Sequence, residues 1–94
     1  MPDLLIASDA RWVREDVKSV LDTREVTVRE VTRGHQVLPA VLEHVPDLVV
    51  LDLQIGKMGG MATCMELRLE EGAERLDHVP VLMLLDRRAD VFLA

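Results

Sequence analysis

The sequence predicts an α/β domain, built on an open parallel sheet with helices on both faces. Three short runs carry much of that prediction: "LLIA" (4–7), "DLVVLD" (47–52) and "VPVLMLL" (79–85) are apolar almost throughout. A strand with one face in water alternates, whereas a strand buried on both faces, as in parallel sheets, reads as a continuous apolar run. Segments with helical spacing lie between the runs. The resulting order, β-α-β-α-β-α-β, is the pattern of parallel strands joined by crossover helices.

Each element has its own justification. "LLIA" ends at Ser8-Asp9 and forms the first strand. Over 10–22, Val13, Val17, Val20 and Leu21 recur at i, i+4, i+7 and i+8, with Arg14, Glu15 and Lys18 between them, which predicts an amphipathic helix with a solvated "REDVK" face. "EVTVREV" (25–31) has the β-branched, partly alternating character of a second strand. Gly34 marks a turn. Leu38, Val41, Leu42 and Val45 then give a short helix that accepts Pro39 near its first turn and stops at Pro46. Residues 47–52 form the third strand. "QIGKMGG" follows as a glycine-containing loop, and Met61, Cys64, Met65 and Arg68 mark a third helix ending near Gly72. The fourth strand is 79–85, and "DRRADVFLA" begins a loop and a helix start.

Composition narrows the function classes. Ninety-four residues, 49% of them hydrophobic, suit one folded domain, read here as 1–94. Trp12 and Phe92 are the sole aromatics, so the core is aliphatic. The net charge, 11 − 17 = −6, argues against a basic nucleic-acid-binding face. The sequence shows neither a signal peptide nor a membrane-spanning run. Cys64 is the single cysteine and cannot form an internal disulfide, which makes the cytoplasm the expected compartment. Cys64 shares an apolar stripe with Met61 and Met65 and is expected in the core. His35, His44 and His78 lack ligand spacing and are expected at the surface. Trp12 suits either a docking face or partial burial against the first loop.

The chemistry lies at the strand ends. Asp9 follows the first strand and Asp52 closes the third. In a doubly wound sheet of order 2-1-3-4, strands one and three are neighbours, and ligands sit beyond their carboxyl ends. Two carboxylates held close repel each other and resist desolvation. A hard divalent cation such as Mg²⁺ relieves both costs, and a carboxylate beside it can act as a nucleophile toward a phosphoryl group.

With "LLIASDARWVRE", "PDLVVLDLQIGKMGG" and "VPVLMLL" in these positions, the whole chain resembles the receiver domain of bacterial response regulators, a flavodoxin-like fold. That resemblance implies a signalling phosphoprotein of a two-component phosphorelay rather than a turnover enzyme. Asp52 stands at the phosphoacceptor position, and its partner is a sensor histidine kinase or phosphotransfer protein. Mg²⁺ is held by Asp9, Asp52 and the backbone carbonyl of Gln54.

The sequence also departs from the family. Ser8 replaces the first of two acids, which weakens attraction for Mg²⁺. Gly56, Gly59 and Gly60 stand where the family has Pro and an Asp-Gly pair, and predict a looser loop. Leu85 replaces the switch hydroxyl at the end of strand four and cannot donate a hydrogen bond, and Asp86 follows it. The family's fifth strand and fifth helix are absent, so the receiver is read as incomplete at its C-terminus. Strand 79–85 is then an exposed apolar edge, which predicts a homodimer or strand exchange. Two alternatives are a phosphorylation-independent interaction module, favoured by Ser8 and Leu85, and a Mg²⁺-dependent phosphohydrolase. The phosphohydrolase wants a second acid two residues beyond its nucleophile, where Gln54 stands.

Overall fold

Leu48–Asp52 (β3) is the central strand of a five-stranded sheet, buried on both faces as its unbroken apolar run requires. The computed structural model describes residues 2–21, 24–55, 59–73, 78–86 and 90–93; of 85, 86 and 90–93 it describes the backbone. Around β3 stand β1 (Asp3–Ala7), β2 (Thr27–Val31), β4 (Val81–Asp86) and β5 (Asp90–Leu93), in the order β2-β1-β3-β4-β5. The first four strands in that order are parallel, as the alternating sequence predicts. The helices are α1 (Arg11–Ser19), α2 (Val37–Glu43) and α3 (Gly60–Gly72), with a 3₁₀ turn at Gly34–Gln36 leading into α2.

Successive strand residues point to opposite faces, and this period divides the core in two. Leu5, Ala7, Val49, Leu51 and Met83 join Val37 and Val41 of α2 and Cys64 and Leu67 of α3 on one face. Leu4, Ile6, Val50 and Leu84 join Val13 of α1 on the other, with Val17 and Leu21 packed alongside. α1 ends at Ser19, so Val20, placed in the helical stripe by the sequence, caps the helix and points outward. Leu42 and Val45 are likewise exposed. Ile55, within the segment read as a loop, is fully buried in the first cluster.

Two expectations are corrected. Cys64 is buried, but Met61 and Met65, placed on the same stripe, are 58% and 61% exposed. The buried face of α3 is Gly60, Thr63, Cys64 and Leu67. α3 is apolar on two sides, so spacing alone does not decide which side faces the sheet. The second correction concerns the edge. β4 is not exposed, because β5 pairs with it antiparallel, from Leu82↔Leu93 to Asp86↔Asp90. The terminal segment, expected to start a helix, supplies an edge strand. Unpaired N–H and C=O groups along β4 favour any strand-forming neighbour, and an antiparallel return needs only a short connection. Strand exchange through 79–85 therefore loses the open edge on which it depended.

Charged side chains fasten the amino ends of the strands on both flanks of the sheet. At the amino ends of the strands, buried Asp3 receives Arg29 Nη2 at 3.1 Å, and the Asp3 N–H donates to Asp47 Oδ2 at 2.7 Å. Arg29 also donates to the carbonyls of Ala40 and His44, tying β2 to α2. At the same end, beside β4, Glu71 Oε1 accepts from the Val79 N–H at 2.9 Å and from Arg68 at 2.7 Å, and Arg68 donates to the Val79 carbonyl. This joins the end of α3 to the lead into β4.

Burial by itself would raise the Glu71 carboxyl, but the Val79 N–H, the Arg68 guanidinium and His78 outweigh it and hold the group below its ordinary value of 4.5. A carboxyl depressed in the folded state adds stability above the unfolded-state value and loses it as the pH falls through the folded one. Glu71→Gln is therefore expected to unfold at lower urea than the native chain at pH 7, by about 1–2 kcal/mol. The gap should narrow as the pH falls below 4.5, read from urea midpoints at each pH.

Candidate functional site at the carboxyl ends of β1 and β3

The β1–β3 register pairs Ala7 with Leu51, so the next step brings Ser8 and Asp52 side by side. Both continue the parity of Ile6 and Val50 and so fall on the α1 side of the sheet. Both are buried, Ser8 at 0% and Asp52 at 1% exposure. A buried carboxylate is tolerated where donors replace its lost water. Here the Ser8 hydroxyl donates to Asp52 Oδ2 at 2.8 Å, and the Gln54 backbone N–H donates to Oδ1 at 2.9 Å.

Ser8 makes further contacts. Its Oγ accepts from the Ala10 N–H at 3.1 Å, and its own N–H donates to the Val31 carbonyl at 3.1 Å. Its carbonyl accepts from Arg14 Nη1 at 2.8 Å, while Arg14 Nε lies 3.3 Å from Glu30. Arg14, which the sequence places on a solvated helix face, is instead tied to the Ser8 carbonyl and Glu30. The spacing from Ser8, six residues across the first turn of a helix, was the available signal.

Asp9 follows on the same turn and is exposed, as is Gln54 beyond β3. The sequence placed Ser8, Asp9, Asp52 and Gln54 at one end of the sheet. The structure joins Ser8 and Gln54 directly to Asp52, and Asp9 lies at the solvent edge. Asp52 pairs in register with Leu84, which puts Leu85, expected from the sequence at the switch position, one step further along β4; its side chain lies outside the described residues, as does Gly56.

The segment after β3 folds back tightly. The Ile55 N–H donates to the Asp52 carbonyl at 3.1 Å, and the Gly60 N–H donates to the Leu53 carbonyl at 2.9 Å. Gly59 has φ +78°, a conformation that side chains other than hydrogen disfavour. Gly60 is required by proximity: a Cβ there would lie 2.5 Å from Leu53 Cα and 2.8 Å from the Asp52 carbonyl oxygen. This approach sets the start of α3 against the strand that carries Asp52.

The donor set suits a hard cation in kind. Carboxylates of Asp52 and Asp9 and the Gln54 carbonyl are the oxygen ligands Mg²⁺ takes. It is a sparse set: among the described residues no three of His, Cys, Asp and Glu gather as a metal cluster. A hydroxyl at Ser8 contributes no charge where a carboxylate would.

Comparison with known proteins identifies the family and the fold. A family model described as the response regulator receiver domain matches residues 4–92. The chain is similar to the transcriptional regulatory protein AfsQ1 of Streptomyces coelicolor, 29% identical over 91 residues, 97% of this chain and 38% of that protein. It is 32% identical over 84 residues to the DNA-binding dual master transcriptional regulator RpaA of Synechocystis, covering 89% of this chain and 34% of the relative. The chain thus spans about a third of the length of these curated relatives. In fold it is similar to the N-terminal domain of a response regulator receiver protein from Methanoculleus marisnigri, with TM-score 0.74, 23% identity, and 88% of this chain and 65% of that one covered. A CheY-like response regulator receiver domain from Methylobacillus flagellatus gives TM-score 0.73 at 23% identity, with 88% and 68% covered.

Gly60→Ala is expected to lose about 1–3 kcal/mol, because backbone rather than a movable side chain meets the added methyl. A urea midpoint equal to that of the native chain would show that α3 can lift from β3 at no cost.

Proposed function

The chain belongs to the response regulator receiver domain family, and from that premise we propose that it accepts a phosphoryl group on Asp52 in a two-component phosphorelay. The observation that carries this reading is the buried Asp52 carboxylate, hydrogen-bonded at the carboxyl end of the central strand and within the residues that the family model matches. The donor is a sensor histidine kinase or a phosphotransfer protein. A carboxylate oxygen of Asp52 attacks the phosphorus. The P–N bond of the donor phosphohistidine breaks, its electron pair returns to the imidazole, and an acyl phosphate forms. Water later cleaves it. Asp52 acts once per transfer, as a stoichiometric acceptor in a cytoplasmic relay rather than as a turnover catalyst.

This chain's own groups prepare the acceptor. The Ser8 hydroxyl and the Gln54 N–H hold the two oxygens at fixed places, so the attacking orientation requires little further ordering. Asp9, Asp52 and the backbone carbonyl of Gln54 would hold Mg²⁺, which when bound offsets charge on the transferring phosphoryl oxygens. The relatives' printed names describe transcriptional and DNA-binding regulators. Those activities belong to proteins about three times as long, and we assign no nucleic-acid contact to a segment of net charge −6.

A second reading has its own support. Ser8 supplies a neutral donor where the family has an acid, and it occupies Asp52 Oδ2 at 2.8 Å. A site satisfied in this way suits a receiver that binds partners without being phosphorylated.

Incubation with acetyl phosphate and Mg²⁺ separates the two. The expected result is a mass gain of one phosphoryl group in the native chain and none in Asp52→Asn. An unchanged native mass favours the phosphorylation-independent module. Ser8→Asp restores the missing charge and is expected to tighten Mg²⁺ binding by about tenfold or more, followed through Trp12 fluorescence. Equal affinity in both forms would place the ion away from Ser8.

A further inference from the structure

Ser8 joins Asp52 to the start of α1. Its Oγ donates to Asp52 Oδ2 and accepts the Ala10 N–H. Ala10 is the N-cap of α1 and has no side-chain cap of its own, while its carbonyl accepts from the Val13 and Arg14 N–H groups. The Ser8 carbonyl takes the Arg14 guanidinium at 2.8 Å, and Arg14 and Lys18 reach Glu30 of β2 at 3.3 and 3.2 Å. α1 is nine residues long and fully buries one side chain, Val13. A helix this short is marginal without tertiary anchors. Its first turn is therefore held by polar contacts that converge on the residue bonded to Asp52.

We propose that Ser8 is a positioning residue that couples the chemical state of Asp52 to the first turn of α1, making the exposed surface around Trp12 the one that changes with the acceptor. Its use in signalling rests on the reading of Asp52 as the phosphoacceptor; the coupling rests on the hydrogen bonds alone. Phosphoryl oxygens carry more negative charge than the carboxylate oxygen they replace and draw the Ser8 O–H more strongly. One hydroxyl cannot follow a displaced acceptor and keep its geometry to the Ala10 N–H unchanged. The strain passes to α1, where Trp12 is 51% exposed beside exposed Arg11 and Glu15. A partner that binds this face would then distinguish the two states of Asp52. The β4 end, where Leu85 stands in place of a hydroxyl residue, is not required for this route.

Amide hydrogen exchange over residues 11–19 tests the coupling with or without a phosphoryl donor. The proteins are the native chain, Ser8→Ala, Asp52→Ala, the double variant, and Asp52→Asn, which keeps a polar partner for Ser8. Each alanine substitution is expected to speed exchange at Val13 and Arg14 by about fivefold or more. The double variant should be no faster than the faster single one, Asp52→Asn should stay near the native rate, and Leu67 in α3 should be unaffected. Additive effects, native rates at α1 in Asp52→Ala, or equal acceleration at Leu67 would overturn the proposal. A native chain that gains no mass from acetyl phosphate would instead overturn the reading of Asp52 as acceptor, with the coupling still decided by the exchange rates.

Discussion

A carboxylate buried at the end of the central strand is the constraint on which the local structure depends. Asp52 lies within an apolar run, where an ionised group is costly unless donors surround it. Those donors come from two directions. Ser8 arrives because the parallel register of β1 and β3 puts equivalent positions side by side. Gln54 arrives because the chain turns just after β3 and points its N–H back. The turn is possible because Gly60 lets the start of α3 approach the backbone of Asp52 and Leu53 closely. Site, turn and helix placement are thus one solution to the burial of a single charge.

The same close contact orients α3. With Gly60 against the strand, Thr63, Cys64 and Leu67 follow onto the sheet at helical spacing. Met61, Met65 and Leu69 are carried to the other side, where with Met83 they line an apolar groove. Hydrophobicity does not choose between these faces, whereas the steric limit at one glycine does. β5 is a comparable case, in which the unpaired edge of β4 determines what the terminal segment becomes.

Charged networks outside the site keep the elements in place. Arg29 ties the amino end of β1 to β2 and α2 through Asp3 and two carbonyls. Glu71 and Arg68 close the passage from α3 to β4. Each links groups that are distant in sequence or separated by a turn, and each satisfies backbone groups that a small domain would otherwise leave unpaired.

The sequence by itself determined the parallel sheet of four strands, the order of elements, and the placement of Ser8, Asp9, Asp52 and Gln54 at one end of it. These features follow from local periodicity, and from strand ends in a doubly wound sheet sharing one side. Tertiary structure decided what periodicity cannot encode. It selected the buried face of α3, brought Ile55 out of a loop-like phrase into the core, turned the last residues into an antiparallel edge strand, and made Arg14 an anchor rather than a solvated charge. Each of these outcomes depends on which atoms meet across long sequence separations, where steric fit at Gly60, an unpaired strand edge or a carbonyl without a donor outweighs local preference.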